Sequence, residues 1–188
     1  MAMNNKRWKL TNGFGGACRR PLINLTLILS ICGFAPRVFA HVTLEQNQAT
    51  VGTSYKAVLR VPHGCDGSAT TAIRVRIPEG ALDVKPMPKP GWTVTIIKGK
   101  YAGTHSLHHA QVSEGVTEVD WSGGKLPDEY YDEFVFQSYL ASDLEAGQML
   151  YFPVVQECEK GVHKWVEVPT AGSNHPEPAP GLKLVPKP

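Results

Sequence analysis

His41 has the most chemistry to offer. The stretch before it, Pro36-Arg37-Val38-Phe39-Ala40, reads as a signal-peptidase site with Val38 and Ala40 at the −3 and −1 positions. A cut there makes His41 the first residue of the working chain. Its free α-amine and its ring Nδ1 then belong to one residue and can close a chelate ring around a metal. Two nitrogens in one plane suit Cu(II), which prefers square-planar or tetragonal N,O surroundings. Thr43, not histidine, occupies the third position of such a chain, so the common amino-terminal copper motif is absent. The His41 side chain itself must supply the ring nitrogen. The α-amine, with an ordinary pKa of about 8, has to lose its proton to bind. Affinity should therefore fall as the pH drops.

The other soft and nitrogenous side chains sort into weaker candidates. His105, His108 and His109 lie together in Thr104-His105-Ser106-Leu107-His108-His109, a cluster of a residue type that copper favours. The segment reads as a loop or edge strand, either simply solvated or a second, weaker metal site. His63 beside Cys65, and His163 near Trp165, read as incidental. Met87 and Met149 are isolated, so no methionine-rich Cu(I) relay is visible. Cleavage would remove Cys18 and Cys32 and leave Cys65 and Cys158. Two cysteines in an exported protein usually pair. A bridge across so long a loop would stabilise the fold by roughly 3–5 kcal/mol through the unfolded state. The alternative is a thiolate site for Cu(I). Hydrolase chemistry finds no support, since neither a nucleophile elbow nor a zinc-binding His-Glu-x-x-His run is present.

Residues 1–40 explain why His41 is expected to become a terminus. They hold six basic residues and no acid, and a short apolar run follows Arg20. That run is shorter than the roughly 20 residues a membrane-spanning helix needs. An uncleaved anchor is one alternative, and Leu29-Ser30-Ile31-Cys32 faintly resembles a lipoprotein cleavage box, although Ile31 is bulky for one. Of 19 basic and 17 acidic residues in the whole chain, 13 and 17 remain beyond residue 40, a net charge of −4. The apparent basicity belongs to the leader, which argues against nucleic acid as a partner. No second apolar stretch is long enough to cross a membrane. The expectation is a periplasmic protein without a membrane anchor.

The elements that would position these residues are strands. Tyr55, Ala57, Leu59 and Val61 alternate with more polar positions, as do Ile73, Val75 and Ile77, then Trp92, Val94 and Ile96, then Phe134 to Leu140, then Leu150, Phe152 and Val154. Period-two runs between Pro, Gly and Asp clusters predict half-buried antiparallel strands. Turns are expected at Pro78-Glu79-Gly80, Lys89-Pro90-Gly91, Ser122-Gly123-Gly124 and Glu145-Ala146-Gly147. About seven to nine strands in an all-β sandwich or barrel follow. The domain should span 41–170, after a cleaved leader at 1–40, and 171–188 should be a proline-rich flexible tail.

Several motifs in order resemble a known family. His41-Val42-Thr43-Leu44, Val61-Pro62-His63-Gly64-Cys65, Pro88-Lys89-Pro90-Gly91-Trp92, the run from Trp121 to Phe136, and Cys158, Gly161 and Trp165 are similar to the YcnI-type extracytoplasmic copper-binding domains. The likeness covers roughly 41–170. It implies an immunoglobulin-like or cupredoxin-like antiparallel β-sandwich without established enzyme activity, associated with copper homeostasis. It further implies Cu(II) held by the mature N-terminal histidine in a monohistidine brace, with a carboxylate and a nearby tryptophan. His41 matches the histidine and Trp165 the tryptophan. For the acid, Glu133 is the first choice and Glu129 the reserve. Other periplasmic copper-handling proteins would be the partners. The competing readings are an oxidative copper enzyme with a full histidine brace, which needs a second histidine from another strand, and a metal-independent immunoglobulin-like interaction module.

Overall fold

The computed structural model describes residues 41–187. The expected leader, with Cys18 and Cys32, lies outside the described residues. Where alternation is long, it becomes strand. Ser54–Val61 (β3) buries Tyr55, Ala57, Leu59 and Val61 and leaves Lys56 and Arg60 exposed. Asp132–Leu140 (β8) pairs with it antiparallel from end to end. Thr70–Arg76 (β4) buries Ile73 and Val75.

The strands form three sheets. One runs β1 (Thr43–Leu44), β3, β8, β5 (Ala81–Pro86). A second runs β11 (Val162–Trp165), β10 (Val154–Cys158), β4, β7 (Ala110–Leu126), β6 (Thr93–Leu107). A small third sheet runs β2 (Gln48–Thr50), β12 (Gly181–Val185), β9 (Met149–Tyr151), with β2 and β12 parallel. The two larger sheets share one core, in which Leu59, Phe134 and Phe136 from the first belong to one cluster with Ile73, Trp121 and Trp165 from the second. Each such side chain contributes roughly 1.5–3 kcal/mol by leaving water. The all-β antiparallel sandwich expected from the sequence is the observed architecture.

Several local expectations need correction. Twelve strands are present among the described residues, more than expected, because β1, β2 and β9 have only two or three residues each. The run from Leu150 to Val154 is not one strand. It breaks at Phe152-Pro153, sending β9 to the small sheet and β10 to the five-stranded one. Proline has no N–H to give a ladder, so it marks the switch between sheets. Ser122-Gly123-Gly124 is not a turn but lies inside β7, where Gly123 has φ 77° and the register against β4 shifts. A left-handed glycine at a shifted register is a bulge.

The largest correction concerns 171–188. The segment is not a loose tail: Gly181–Val185 is a strand, and Leu182 and Leu184 are fully buried. Two leucines with strand spacing outweigh the surrounding prolines. The cysteines do pair, Cys65 to Cys158 with Cα atoms 6.0 Å apart across a sequence separation of 93. Closing a loop of that size stabilises by about 4–5 kcal/mol in the chain-entropy picture. Cys65 opens a tight turn whose central residues, Asp66 and Gly67, both have positive φ, 46° and 84°. That is the Asp-Gly pairing which two-residue turns favour.

Candidate metal centre

β1 is short, yet it is well anchored. Val42 and Leu44 are 1% and 8% exposed and belong to the core, so the residue before them has a defined place. β1 pairs Thr43 with Arg60, and β3 pairs Arg60 with Glu133 and Val61 with Asp132. Carried on by one or two residues, this register sets His41, Pro62 and Tyr131 in a row. His41, Thr43, Arg60, Pro62 and Tyr131 indeed line one open pocket. On its other flank β1 is the edge of its sheet, as β11 is of the facing sheet. There the His41 ring meets the Trp165 indole, with ring centroids 5.5 Å apart at 59°.

Trp165 is 1% exposed and fixed by more than packing. Its indole N–H donates to Gln156 Oε1 at 3.0 Å. Gln156 in turn donates through Nε2 to the His63 carbonyl and to Thr70 Oγ1, both at 2.8 Å. His163 stacks on the indole at 5.1 Å and 29°, and its Nδ1 lies 2.7 Å from Glu177 Oε1. His163, read as incidental in the sequence, thus stacks on the indole that His41 meets. Gln156 was missed altogether. Its parity with Val154 and Cys158 on β10 was the available signal, because residues two apart on a strand share a face.

The candidate acids lie on β8 and in the turn before it. Glu133 lies on the third strand of the β1-β3-β8 row, about 9–10 Å from Thr43 at ordinary strand spacing. Its carboxylate is 3.5 Å from the Arg60 guanidinium, which also holds Glu45 at 3.0 Å. Two acids around one guanidinium leave this edge with an excess negative charge, which favours a cation. Glu129 is exposed in the turn between β7 and β8. The motif around Glu133 also holds the fold together. Lys89 pairs with Asp132 at 2.6 Å and lies 4.8 Å over the Phe134 ring, with Trp92 edge-on to Phe134.

Of the three clustered histidines, His105 and His108 have separate partners. His105 sits between Asp143, 3.1 Å from Nδ1, and Glu79, 3.6 Å from Nε2. Burial raises the Asp143 pKa, but hydrogen bonds from the Ser106 N–H and His105 outweigh it and hold the carboxyl below its ordinary value. His108, with φ 53°, packs on Tyr139 at 4.5 Å, and His109 is exposed in the same turn. Among the described residues, no group of three or more His, Cys, Asp or Glu side chains is placed to hold a metal ion. The disulfide also removes the thiolate alternative. No helix among the described residues is long and apolar enough to cross a membrane.

Fold and site together define an immunoglobulin-like β-sandwich with a histidine and a tryptophan meeting at one open edge. A crystal structure of an uncharacterized protein from Nocardia farcinica with an immunoglobulin-like fold is similar to it, at 25% identity and a TM-score of 0.58, covering 77% of this chain and 98% of that one. The profile of the family described as Domain of unknown function (DUF1775) matches residues 41–184, and the chain belongs to that family, which includes the YcnI-type domains. No curated protein sequence matches the chain.

Proposed function

We propose that the chain, cut after Ala40, is a periplasmic Cu(II)-binding protein of copper homeostasis. It buffers the ion or passes it to other copper-handling proteins, diffuses free of the membrane, and turns over no substrate. The observation that carries this reading is the contact between His41 and the buried Trp165 at the sandwich edge. A brace built on one residue takes the α-amine and Nδ1 from His41, so it needs no cluster of three side chains. The indole closes one side against water, and the acids around Arg60 bias the edge toward a cation. The family match also begins at His41. Bound there, Cu(II) would be held by nitrogen in a tetragonal field, and protons would compete for the same nitrogens.

The test is an intact mass of the exported protein, followed by a Cu(II) titration read by electron paramagnetic resonance. A mass matching residues 41–188 with one equivalent of axial, nitrogen-coordinated Cu(II) is expected. One alanine added before His41 should abolish that signal. A different terminus, or no tight Cu(II) at the right one, refutes the proposal.

A further inference from the structure

β5 and β6 are the outermost strands of the two larger sheets, at the edges opposite β1 and β11. Between β5 and the outer half of the β6–β7 hairpin lies a cleft of about 560 Å³. That is the size of a small-molecule site. Its walls are aliphatic. Leu82, Val84 and Val116 are 0%, 5% and 7% exposed, and Ile96, Leu107 and Val112 line it closer to solvent.

Both walls depart from regular strand where they meet the cleft. Leu82, Asp83, Val84 and Lys85 are consecutive, yet all four line it. Neighbours on a regular strand point to opposite sides. Asp83 has φ 49°, and the register of β5 against β8 shifts between Leu82 and Lys85, so β5 is bulged there. The β6–β7 register shifts as well, between Ile97 and Lys98 and again between Lys100 and His105. Bulges bend and twist a strand pair, and these bring the outer hairpin alongside β5. The hairpin is then held there. His105 and the Ser106 N–H bond to Asp143, and the Ala102 N–H donates to Glu79. A cleft fixed on both sides needs little ordering when a ligand enters.

Charge decides what would enter. The charged residues of the lining are Lys85, Lys98 and Lys100 against Asp83 and Glu114. Lys85 pairs with Asp83 at 2.8 Å, and Lys100 stands opposite Glu114 in the register. Lys98 is left over, a single ammonium beside aliphatic walls. We infer that this cleft is a binding site for a linear aliphatic monoanion, a carboxylate of the fatty-acid type. Its chain lies among Leu82, Val84, Leu107 and Val112, and its carboxylate meets Lys98. The site is at the far edge from His41 and does not depend on the copper proposed there.

The experiment is a calorimetric titration of the exported protein with dodecanoate below its micelle concentration, with backbone amide shifts followed by nuclear magnetic resonance. One saturable site is expected, with or without Cu(II), and the largest shifts at 82–85 and 112–116. Lys98→Glu, at an exposed position, should weaken binding by at least about tenfold. Val112→Trp should fill the cleft and abolish binding. Lys160→Glu, in the turn between β10 and β11, should bind as the wild type does. Dodecyltrimethylammonium, the same chain with the opposite charge, should not compete. Absence of saturable dodecanoate binding overturns the inference, as does equal binding of the cationic probe. So does unchanged affinity in Lys98→Glu, or adsorption to phosphatidylglycerol vesicles without binding of the free acid. Each of these results leaves the proposed copper function standing.

Discussion

Replacing Gln156 with leucine tests whether a buried amide holds the sandwich edge in place. The two side chains are similar in volume, so the change removes polar partners and leaves little cavity. The Trp165 indole N–H loses its acceptor in a residue only 1% exposed. A buried donor left unpaired costs about 1–3 kcal/mol. Thr70 Oγ1 keeps a weak alternative in Cys158 Sγ at 3.6 Å, and the His63 carbonyl is only partly buried. Those two losses add less, for a total of about 2–4 kcal/mol. A domain of this size loses roughly 2–4 °C of Tm per kcal/mol, so a drop of about 5–15 °C is expected. Urea unfolding followed by far-ultraviolet circular dichroism gives the free energy, and near-ultraviolet dichroism reports whether the indole has become mobile. A variant within about 0.5 kcal/mol of wild type, inside the range of ordinary surface changes, would refute the reasoning.

Three other outcomes follow from the same structure. Ending the chain after Pro180 removes Leu182 and Leu184 from the core and should destabilise by about 3–6 kcal/mol; a truncated protein with the wild-type Tm would restore the loose-tail expectation. Asp143 has its folded pKa lowered, so it contributes stability above its unfolded value of 3.8 that is lost as the pH falls through the folded value. Asp143→Asn should therefore flatten the fall of Tm below about pH 4 while lowering Tm at neutral pH; an unchanged acid limb would exclude the His105 and Ser106 contacts as its cause. Glu133→Gln should leave the Cu(II) resonance spectrum as it is and cost under about 1 kcal/mol of stability, as an exposed ion pair does. Loss of an oxygen ligand from that spectrum would instead return Glu133 to the metal.

Much of the fold was legible because long strands advertise themselves. β3, β4 and β8 show alternation, and its apolar positions are buried, although Val58, Ala72 and Val135 beside them are buried as well. β1, β2 and β9 are too short to display a period, and β12 lies among prolines that hide two leucines at strand spacing. The disulfide could be read from the count of cysteines beyond the expected leader. The site was legible only in part. His41 and Trp165, brought together by the family resemblance, do meet, but the partners of Glu133 come from register, and no local pattern shows that Arg60 lies across from it. Gln156 was hidden for a different reason. An amide usually faces water, and its burial becomes reasonable only when an indole, a carbonyl and a hydroxyl are known to surround it.

The small third sheet joins distant parts of the sequence. β2 lies near the start of the described residues and β12 at their end, with Gln48 beside Lys183 and Thr50 beside Val185. Neither Gln48–Thr50 nor Met149–Tyr151 has another strand partner in that sheet until β12 arrives between them. The hydrophobic seal made by Leu182 and Leu184 therefore depends on a strand that follows all the other described strands in sequence. Pairing between residues so far apart in sequence carries a large loop-closure entropy and belongs to the slow end of folding. Until β12 docks, β2 and β9 lack their shared partner in that sheet and the core is open where Leu182 and Leu184 will sit. One strand thus acts as a drawstring, closing two distant parts of the sequence at once.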